Sequence, residues 1–255
     1  MPVVLAMTST ELGIILPALL AGLLVLSTHV LLGREVLARG IIFIDLAIAQ
    51  IAGLGVIVAF VLGIHEGWQV ELAAVVAALA GAVALYWAER AWPDIQEAVI
   101  GAAFVVASSA SLLLLANHPQ GGEHLKEILI GQILWVEYAT LVPVAILYGA
   151  LILLRKRCIC NESRMLFYLV FAITITASVQ LVGVFLVFAS LILPALATYH
   201  LANHPLLKAY VIGAVAYLAG LLFAAWMDLP AGPVIILVMS LITLLFLLWR
   251  VPGRA

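Results

Sequence analysis

The sequence predicts an all-α protein that forms a polytopic bundle of eight or nine membrane-spanning helices. Of its 255 residues, 67% are hydrophobic and only 9% are charged, whereas a soluble domain has roughly a quarter charged residues. The mean hydropathy is +1.29. Most of the apolar residues fall in runs of about 20, the length that a helix needs to cross a bilayer. The excess apolar surface is therefore expected to face lipid.

Nine apolar runs follow one another along the chain. Glu137 interrupts the fifth run, so its first part could lie along the membrane surface, with the true span after it. Gly183 separates two short runs, which predicts either a hairpin or a broken helix at that point. The predicted spans are Leu12–Leu32, Ile41–Gly63, Val70–Ala88, Ala98–Ala116, Ile128–Leu154, Met165–Val182, Val184–Thr198, Leu206–Trp226 and Ala231–Trp249.

The positions of the basic residues indicate the orientation. If the N-terminus is outside and the chain crosses nine times, every Lys and Arg except Lys126 lies in an inside loop or at an inside helix end. Inside loops are expected to collect Lys and Arg, so nine crossings are favoured. Eight crossings would fit if the region around Gly183 only dips into the membrane and returns. The outside loops hold the acidic residues Glu66, Glu123, Glu127 and Asp228.

The sequence lacks the motifs of the enzymes that such a chain could otherwise be. It has no nucleotide-binding pattern G-x-x-x-x-G-K-[ST] and no zinc-protease pattern H-E-x-x-H. We therefore expect one transmembrane domain over residues 1–255 that is not an enzyme and binds no cofactor tightly. If transport is driven by ATP, the ATPase is a separate chain. The net charge of −2 gives no indication of a nucleic-acid partner.

Two ionisable residues fall inside the first two predicted spans. Charged groups in a membrane are costly and usually mark a functional site or a buried pair. His29 lies about one turn before the end of the first span, and Asp45 about one turn inside the second. The connecting loop Gly33–Gly40 is short, which predicts a hairpin with both side chains at similar depth. Together they could hold a divalent cation or act as a gate; the alternative is a hydrogen bond that stabilises the hairpin.

Two glutamines also lie in apolar runs. Gln50 is five residues beyond Asp45 and at about 100° per residue points to another face of its helix. Its small neighbours are typical of close helix packing, which favours a helix–helix hydrogen bond over a role in a transport path. Gln180, just before Gly183, allows the same two interpretations.

Further metal-ligand residues lie outside the spans. The predicted outside loop at residues 117–127 holds two histidines and two glutamates. It could receive a metal ion, dock a partner protein or simply be solvated. On the inside, His200 and His204 are four residues apart, but a short helix over Ala195–Asn203 that contacts a partner is favoured over a metal site. The outside-loop candidates are His118, Glu123, His124 and Glu127.

Several segments together resemble the membrane permeases of the zinc, manganese and iron ABC importers. They occur in the family's order and cover nearly the whole chain. The first is the second-helix signature Val-Leu-Ala-Arg-Gly-Ile-Ile-Phe-Ile-Asp-Leu-Ala-Ile-Ala-Gln. The segments are Val36–Gln50, Glu97–Phe104, Ile128–Leu134, Gln180–Leu186, Ile192–Thr198 and Asp228–Pro233.

The resemblance implies a permease subunit of an ATP-driven importer of divalent transition-metal ions, with zinc or manganese favoured. It implies alternating access, a homodimer in the inner membrane of a bacterium, a cytoplasmic ABC ATPase dimer and an external metal-binding receptor. Residues 193–205 would form the cytoplasmic coupling helix that docks on the ATPase. The candidate coupling residues are Pro194, Ala195, Thr198, His200 and His204.

The resemblance also matches Asp45 to the acidic residue of the second-helix motif. The family usually has a histidine four residues later, where this chain has Ala49, with Gln50 beside it. His29 could replace the missing imidazole, and a different metal or a chelated form of it is an alternative. The remaining alternative function is a gradient-driven carrier or channel for a small solute, which would need no surface for an ATPase.

Overall fold

The structure is a computed structural model that describes residues 9–64, 67–115, 131–157 and 164–250. These ranges contain nine α-helices, two short 3-10 turns at Pro93–Ile95 and Ile133–Trp135, and no strand. The helices are α1 (Ser9–Arg39), α2 (Ile44–Val61), α3 (Gly67–Ala91), α4 (Gln96–Leu115), α5 (Tyr138–Arg157), α6 (Arg164–Val182), α7 (Val184–Thr198), α8 (Pro205–Met227) and α9 (Ala231–Arg250).

Seven of these helices are long and apolar enough to cross a membrane, and α5 and α7 are shorter apolar helices. Large apolar side chains such as Leu113, Ile146 and Leu237 are about 70% exposed, which is the expected state of a surface that faces lipid. The prediction of an all-α polytopic membrane bundle is confirmed. Each of the nine predicted apolar runs overlaps one of the nine helices that the described ranges contain.

The first helix is longer than predicted. The sequence predicted a loop at Gly33–Gly40, but α1 continues through Gly33 to Arg39. Gly40 ends it with a positive φ of 70°, and the amides of Gly40 and Ile41 bond to the carbonyls of Leu37 and Val36. These two bonds are the Schellman motif, which glycine favours because it adopts a left-handed conformation without strain.

The two uncertain regions of the sequence have clear structures. α5 begins at Tyr138, directly after Glu137, so the interruption predicted at Glu137 is confirmed for the described part of that run. At Gly183 the chain is a broken helix: α6 ends at Val182, α7 begins at Val184, and Gly183 has φ 82° and ψ 161°. A residue with a Cβ would be strained at that φ.

The chain folds into two compact units. Unit 1 consists of the described residues of Met1–Arg34, Ile130–Tyr148 and Leu181–Ala255. In it, α9 packs on α7 and α8, and α7 packs on α8. Unit 2 consists of the described residues of Glu35–Leu129 and Gly149–Gln180, and α2 packs in it against α3 and α4. The single permease domain over residues 1–255 stays a prediction.

Candidate transport site

His29 is completely buried on α1, with 0% of its surface exposed. Its Nδ1 lies 2.9 Å from the carbonyl oxygen of Val25, one turn earlier. A carbonyl can only accept, so Nδ1 must carry the proton and Nε2 must hold the free electron pair. The buried Nε2 has no hydrogen-bond partner among the described residues. Histidines that bind metals are arranged in this way, with one ring nitrogen fixed by a backbone carbonyl.

Asp45 is also buried, with 1% of its surface exposed. It is the second residue of α2 rather than one turn inside it, because α2 begins at Ile44. Neither of its carboxylate oxygens has a hydrogen-bond partner within the described ranges. The start of a helix favours a negative charge through the helix dipole, but this offsets only part of the cost of burial. The carboxylate is therefore a candidate ligand for a cation.

The helix ends found for α1 remove one argument made from the sequence. The sequence predicted that His29 and Asp45 lie at similar depth because a short loop, Gly33–Gly40, was expected between their helices. That segment is helical, and His29 lies ten residues, or about 15 Å, before the end of α1. His29 belongs to unit 1 and Asp45 to unit 2.

Gln50 makes a hydrogen bond between two helices, the kind of contact that the sequence favoured for it. It is 5% exposed, and its Oε1 accepts a hydrogen bond of 3.2 Å from the Ser108 hydroxyl on α4. The predicted close packing of α2 is also present, because a Cβ at Gly55 would lie 2.7 Å from the carbonyl oxygen of Ala73. Gln180 is exposed near the end of α6.

Sequence reasoning did not single out Glu97 as a site residue. It lies in the first turn of α4, and its Oε1 accepts a hydrogen bond of 3.2 Å from the backbone amide of Phe43, just before α2. Its other carboxylate oxygen is buried without a partner in the described part of the chain. Glu97 thus supports the start of α2, next to Asp45. The sequence signal that could have identified Glu97 is its position in Glu97–Phe104, one of the segments that resemble a family motif.

The candidate coupling segment differs from its prediction. No separate helix forms over Ala195–Asn203; α7 continues through Pro194 to Thr198, and a turn precedes α8 at Pro205. His204, the last residue of this turn, is left-handed at φ 49°, and the residue before a proline disfavours the helical conformation, so α8 starts only at Pro205.

The candidate coupling residues accordingly divide into two groups. Pro194, Ala195 and Thr198 are buried in α7, whereas His200 and His204 are exposed in the turn. The turn also exposes 41% of the surface of Tyr199, whose ring packs edge-on against His200 at 5.0 Å. We call residues 199–204 the α7–α8 turn.

Two further results concern the metal candidates. His118, Glu123, His124 and Glu127 of the predicted outside loop lie outside the described residues. Within the described ranges, no three His, Cys, Asp or Glu side chains are grouped so that they could hold a metal ion. The ionisable candidates within the described ranges are therefore His29 in unit 1 and Asp45 in unit 2.

Together, the apolar helices and the buried polar atoms without partners define a class of protein. Ionisable groups inside membrane spans are rare and mark the pathways of transported substrates and ions. The fold and these residues are those of a multi-pass membrane transport protein.

Comparison with known proteins identifies the family. The model of the ABC 3 transport family matches residues 11–163 and 158–250. The chain therefore belongs to the ABC 3 transport family, and the resemblance to ABC metal-importer permeases is confirmed. It is also 26% identical to MntC, a manganese transport system membrane protein of Halalkalibacterium halodurans, over 88% of this chain and 82% of MntC.

Solved structures show the same fold. PsaBC from Streptococcus pneumoniae, solved in complex with Fab, matches with a TM-score of 0.69 and 22% identity over 90% of this chain and 89% of that one. A transporter described as metal-chelate-type ABC, in an inward-facing conformation, matches with a TM-score of 0.63 and 15% identity. That match covers 92% of this chain and 85% of the other.

Proposed function

We propose that this chain is the membrane-spanning subunit of an ATP-driven importer of divalent transition-metal ions, with manganese or zinc as the favoured cargo. The membership of the ABC 3 transport family supports the class of transporter. The similarity to a protein named for manganese transport supports the cargo. The metal ion is the transported substrate in this proposal and not a resident cofactor.

The main observation that supports a cation as the cargo is a set of buried polar atoms without hydrogen-bond partners. His29 Nε2 and both oxygens of Asp45 are buried in apolar helices and have no hydrogen-bond partner in the described residues. Leaving such atoms without partners is costly, and a passing cation would offset that cost. Imidazole suits zinc, and carboxylate suits manganese. Gln50 is a weaker candidate, because its amide oxygen already accepts a hydrogen bond from Ser108.

The proposed mechanism is alternating access. A receptor outside the cell delivers the ion, and the outside loop with His118, Glu123, His124 and Glu127 is a candidate for receiving it. Two copies of this chain form the pathway in the inner membrane of a bacterium. A cytoplasmic ABC ATPase dimer docks on the exposed α7–α8 turn, and ATP binding and hydrolysis move the helices so that the ion is released inside. The sequence has no nucleotide-binding motif, so ATP is hydrolysed by the partner.

The test is transport by the assembled complex. The chain is co-expressed with the ATPase and the receptor encoded by neighbouring genes, purified and reconstituted in proteoliposomes. We expect uptake of radioactive manganese or zinc that requires both ATP and receptor, with competition between the ions establishing the preferred cargo. Uptake driven by an ion gradient without ATP, from a chain that retains no ATPase after detergent extraction, would instead support the gradient-driven carrier.

A further inference from the structure

We propose that Gly33 and Arg34 couple α1 mechanically to the α7–α8 turn, so that a movement of the turn is transmitted to the helix that carries His29. This inference rests on the proposed function, in which the turn contacts an ATPase. It assigns Gly33 and Arg34 as positioning residues, since neither is proposed to touch the ion.

α1 and α7 are in close contact at Gly33. Gly33 has no side chain, and the backbone carbonyl of Leu191 occupies the space where a Cβ would be. The same Cβ position would be 3.2 Å from Ala195 Cβ. Leu191 and Ala195 are four residues apart and fully buried, so they lie on one face of α7. Two helix backbones that touch in this way cannot slide past one another without breaking van der Waals contact.

A hydrogen bond also joins α1 to the C-terminal end of α7. Arg34 donates a hydrogen bond of 3.5 Å from Nη1 to the carbonyl oxygen of Thr198, the last residue of α7. The same carbonyl accepts the amide of Leu201 at 3.1 Å, which is the bond that closes the start of the α7–α8 turn. A guanidinium is also favoured at this position by the helix dipole. Arg34 therefore bonds to the residue from which the exposed turn leaves the helix.

His29 lies on α1 close to these two contacts. His29 and Gly33 are four residues apart on a continuous helix, so they lie on the same face of α1, one turn from each other. α1 is held to α8 closer to its N-terminus, where Tyr210 donates a 3.1 Å hydrogen bond to the carbonyl oxygen of Ser27. A displacement of the α7–α8 turn would thus act on α1 at Gly33 and Arg34, one turn from His29.

The experiment measures the number of metal ions transported per ATP hydrolysed by the complete reconstituted importer, with radioactive manganese or zinc as the probe. Gly33→Ala is expected to lower this ratio about five- to tenfold, the size of effect seen when residues that carry coupling are changed. ATP hydrolysis and co-purification of the ATPase should persist. Gly13→Ala is the matched control, because Gly13 lies on the same helix and no atom of another helix in the described residues lies within 4 Å of its Cβ position.

A second variant covers the case in which Gly33→Ala does not assemble. Arg34→Gln removes the bond to Thr198 without adding volume and should also lower the ions transported per ATP, by about two- to fivefold. An unchanged ratio in an assembled Gly33→Ala or Arg34→Gln importer would overturn the proposal, as would a parallel loss of transport and hydrolysis. A wild-type complex that shows no ATP-dependent uptake would instead contradict the proposed function itself.

Discussion

α1 and α2 share a sequence pattern, but the contacts around the glycine of that pattern differ between the two helices. Both carry a buried polar residue followed within five positions by a glycine that contacts the backbone of another helix. In α1, the glycine contact adjoins Arg34, which bonds to the end of α7 beside an exposed turn. In α2, Gly55 contacts the backbone carbonyl of Ala73 and the methyl group of Ala77, and the residue that follows it is the apolar Val56.

The buried polar residues of the two helices also differ in whether they have a hydrogen-bond partner. Gln50 in α2 has Ser108 as its partner, whereas Asp45 on the same helix and the Nε2 of His29 in α1 have none within the described residues. A polar group with a partner stabilises the packing of two helices. A polar group that is buried without one destabilises the fold unless a ligand pairs with it. The comparison therefore separates structural residues from candidate transport residues.

The largest effect is expected at Asp45, whose buried carboxyl group has no hydrogen-bond partner within the described residues. Asp45→Asn should lower metal uptake by the reconstituted importer at least about tenfold, equivalent to about 1.4 kcal/mol. The free energy of unfolding should stay the same or rise, because an amide avoids the cost of burying or neutralising a carboxylate. Glu71→Gln removes an exposed acid on α3 and is the control. Wild-type uptake by Asp45→Asn would remove Asp45 from the transport path.

His29 is expected to have the next largest effect and to change the choice of ion. His29→Gln removes the imidazole nitrogen that zinc prefers, so zinc uptake should fall about tenfold (about 1.4 kcal/mol) and manganese uptake less. Uptake measured with both ions in competition checks this. Thr174→Val is the control, since that buried hydroxyl bonds to the Val170 carbonyl of its own helix. Equal loss of both ions would argue for a structural role of His29.

Gly55 tests whether close contact alone couples helices. Gly55→Ala places a methyl group 2.7 Å from the Ala73 carbonyl oxygen and should lower the free energy of unfolding by about 1–3 kcal/mol, the usual cost of overpacking. The ions transported per ATP should not change, in contrast to Gly33→Ala. Denaturation in detergent and transport assays provide both values. Gly101→Ala is the matched control, because no other helix in the described part of the chain has an atom within 4 Å of the Gly101 Cβ position.

The smallest effect is expected for the paired amide of α2. A double-mutant cycle with Gln50→Leu and Ser108→Ala should give a coupling energy of about 0.6 kcal/mol, typical of hydrogen bonds between membrane helices. Uptake should stay within about twofold of wild type for either change, a difference of about 0.4 kcal/mol. A loss of uptake in Gln50→Leu that Ser108→Ala does not share would place Gln50 on the transport path instead.

Some features of this protein follow from local sequence alone. Runs of about 20 apolar residues predicted the membrane helices, because backbone polar groups in lipid must bond within the segment. Glu137 and Gly183 marked real interruptions, since a charge and a residue with a positive φ both end a membrane helix readily. The family resemblance was also present in the sequence, in several motifs spread along most of the chain.

Other features depended on which helices pack together. The sequence suggested a loop at Gly33–Gly40, because that segment lies between two apolar runs; glycine also disfavours a helix interior. In the structure, Gly33 permits contact with Leu191, and the packing overrides the propensity. Similarly, Gln50 and Asp45 look alike as polar residues in an apolar run, and only the position of Ser108 gives one of them a partner.

The sequence by itself therefore determined that the chain is a helical membrane protein, where its helices lie and which family it belongs to. These properties depend on composition and on the order of short motifs. The tertiary structure decided which polar groups are paired and where α1 touches α7. Those contacts join residues far apart in the chain, such as Arg34 and Thr198, and no local pattern specifies the distance between them.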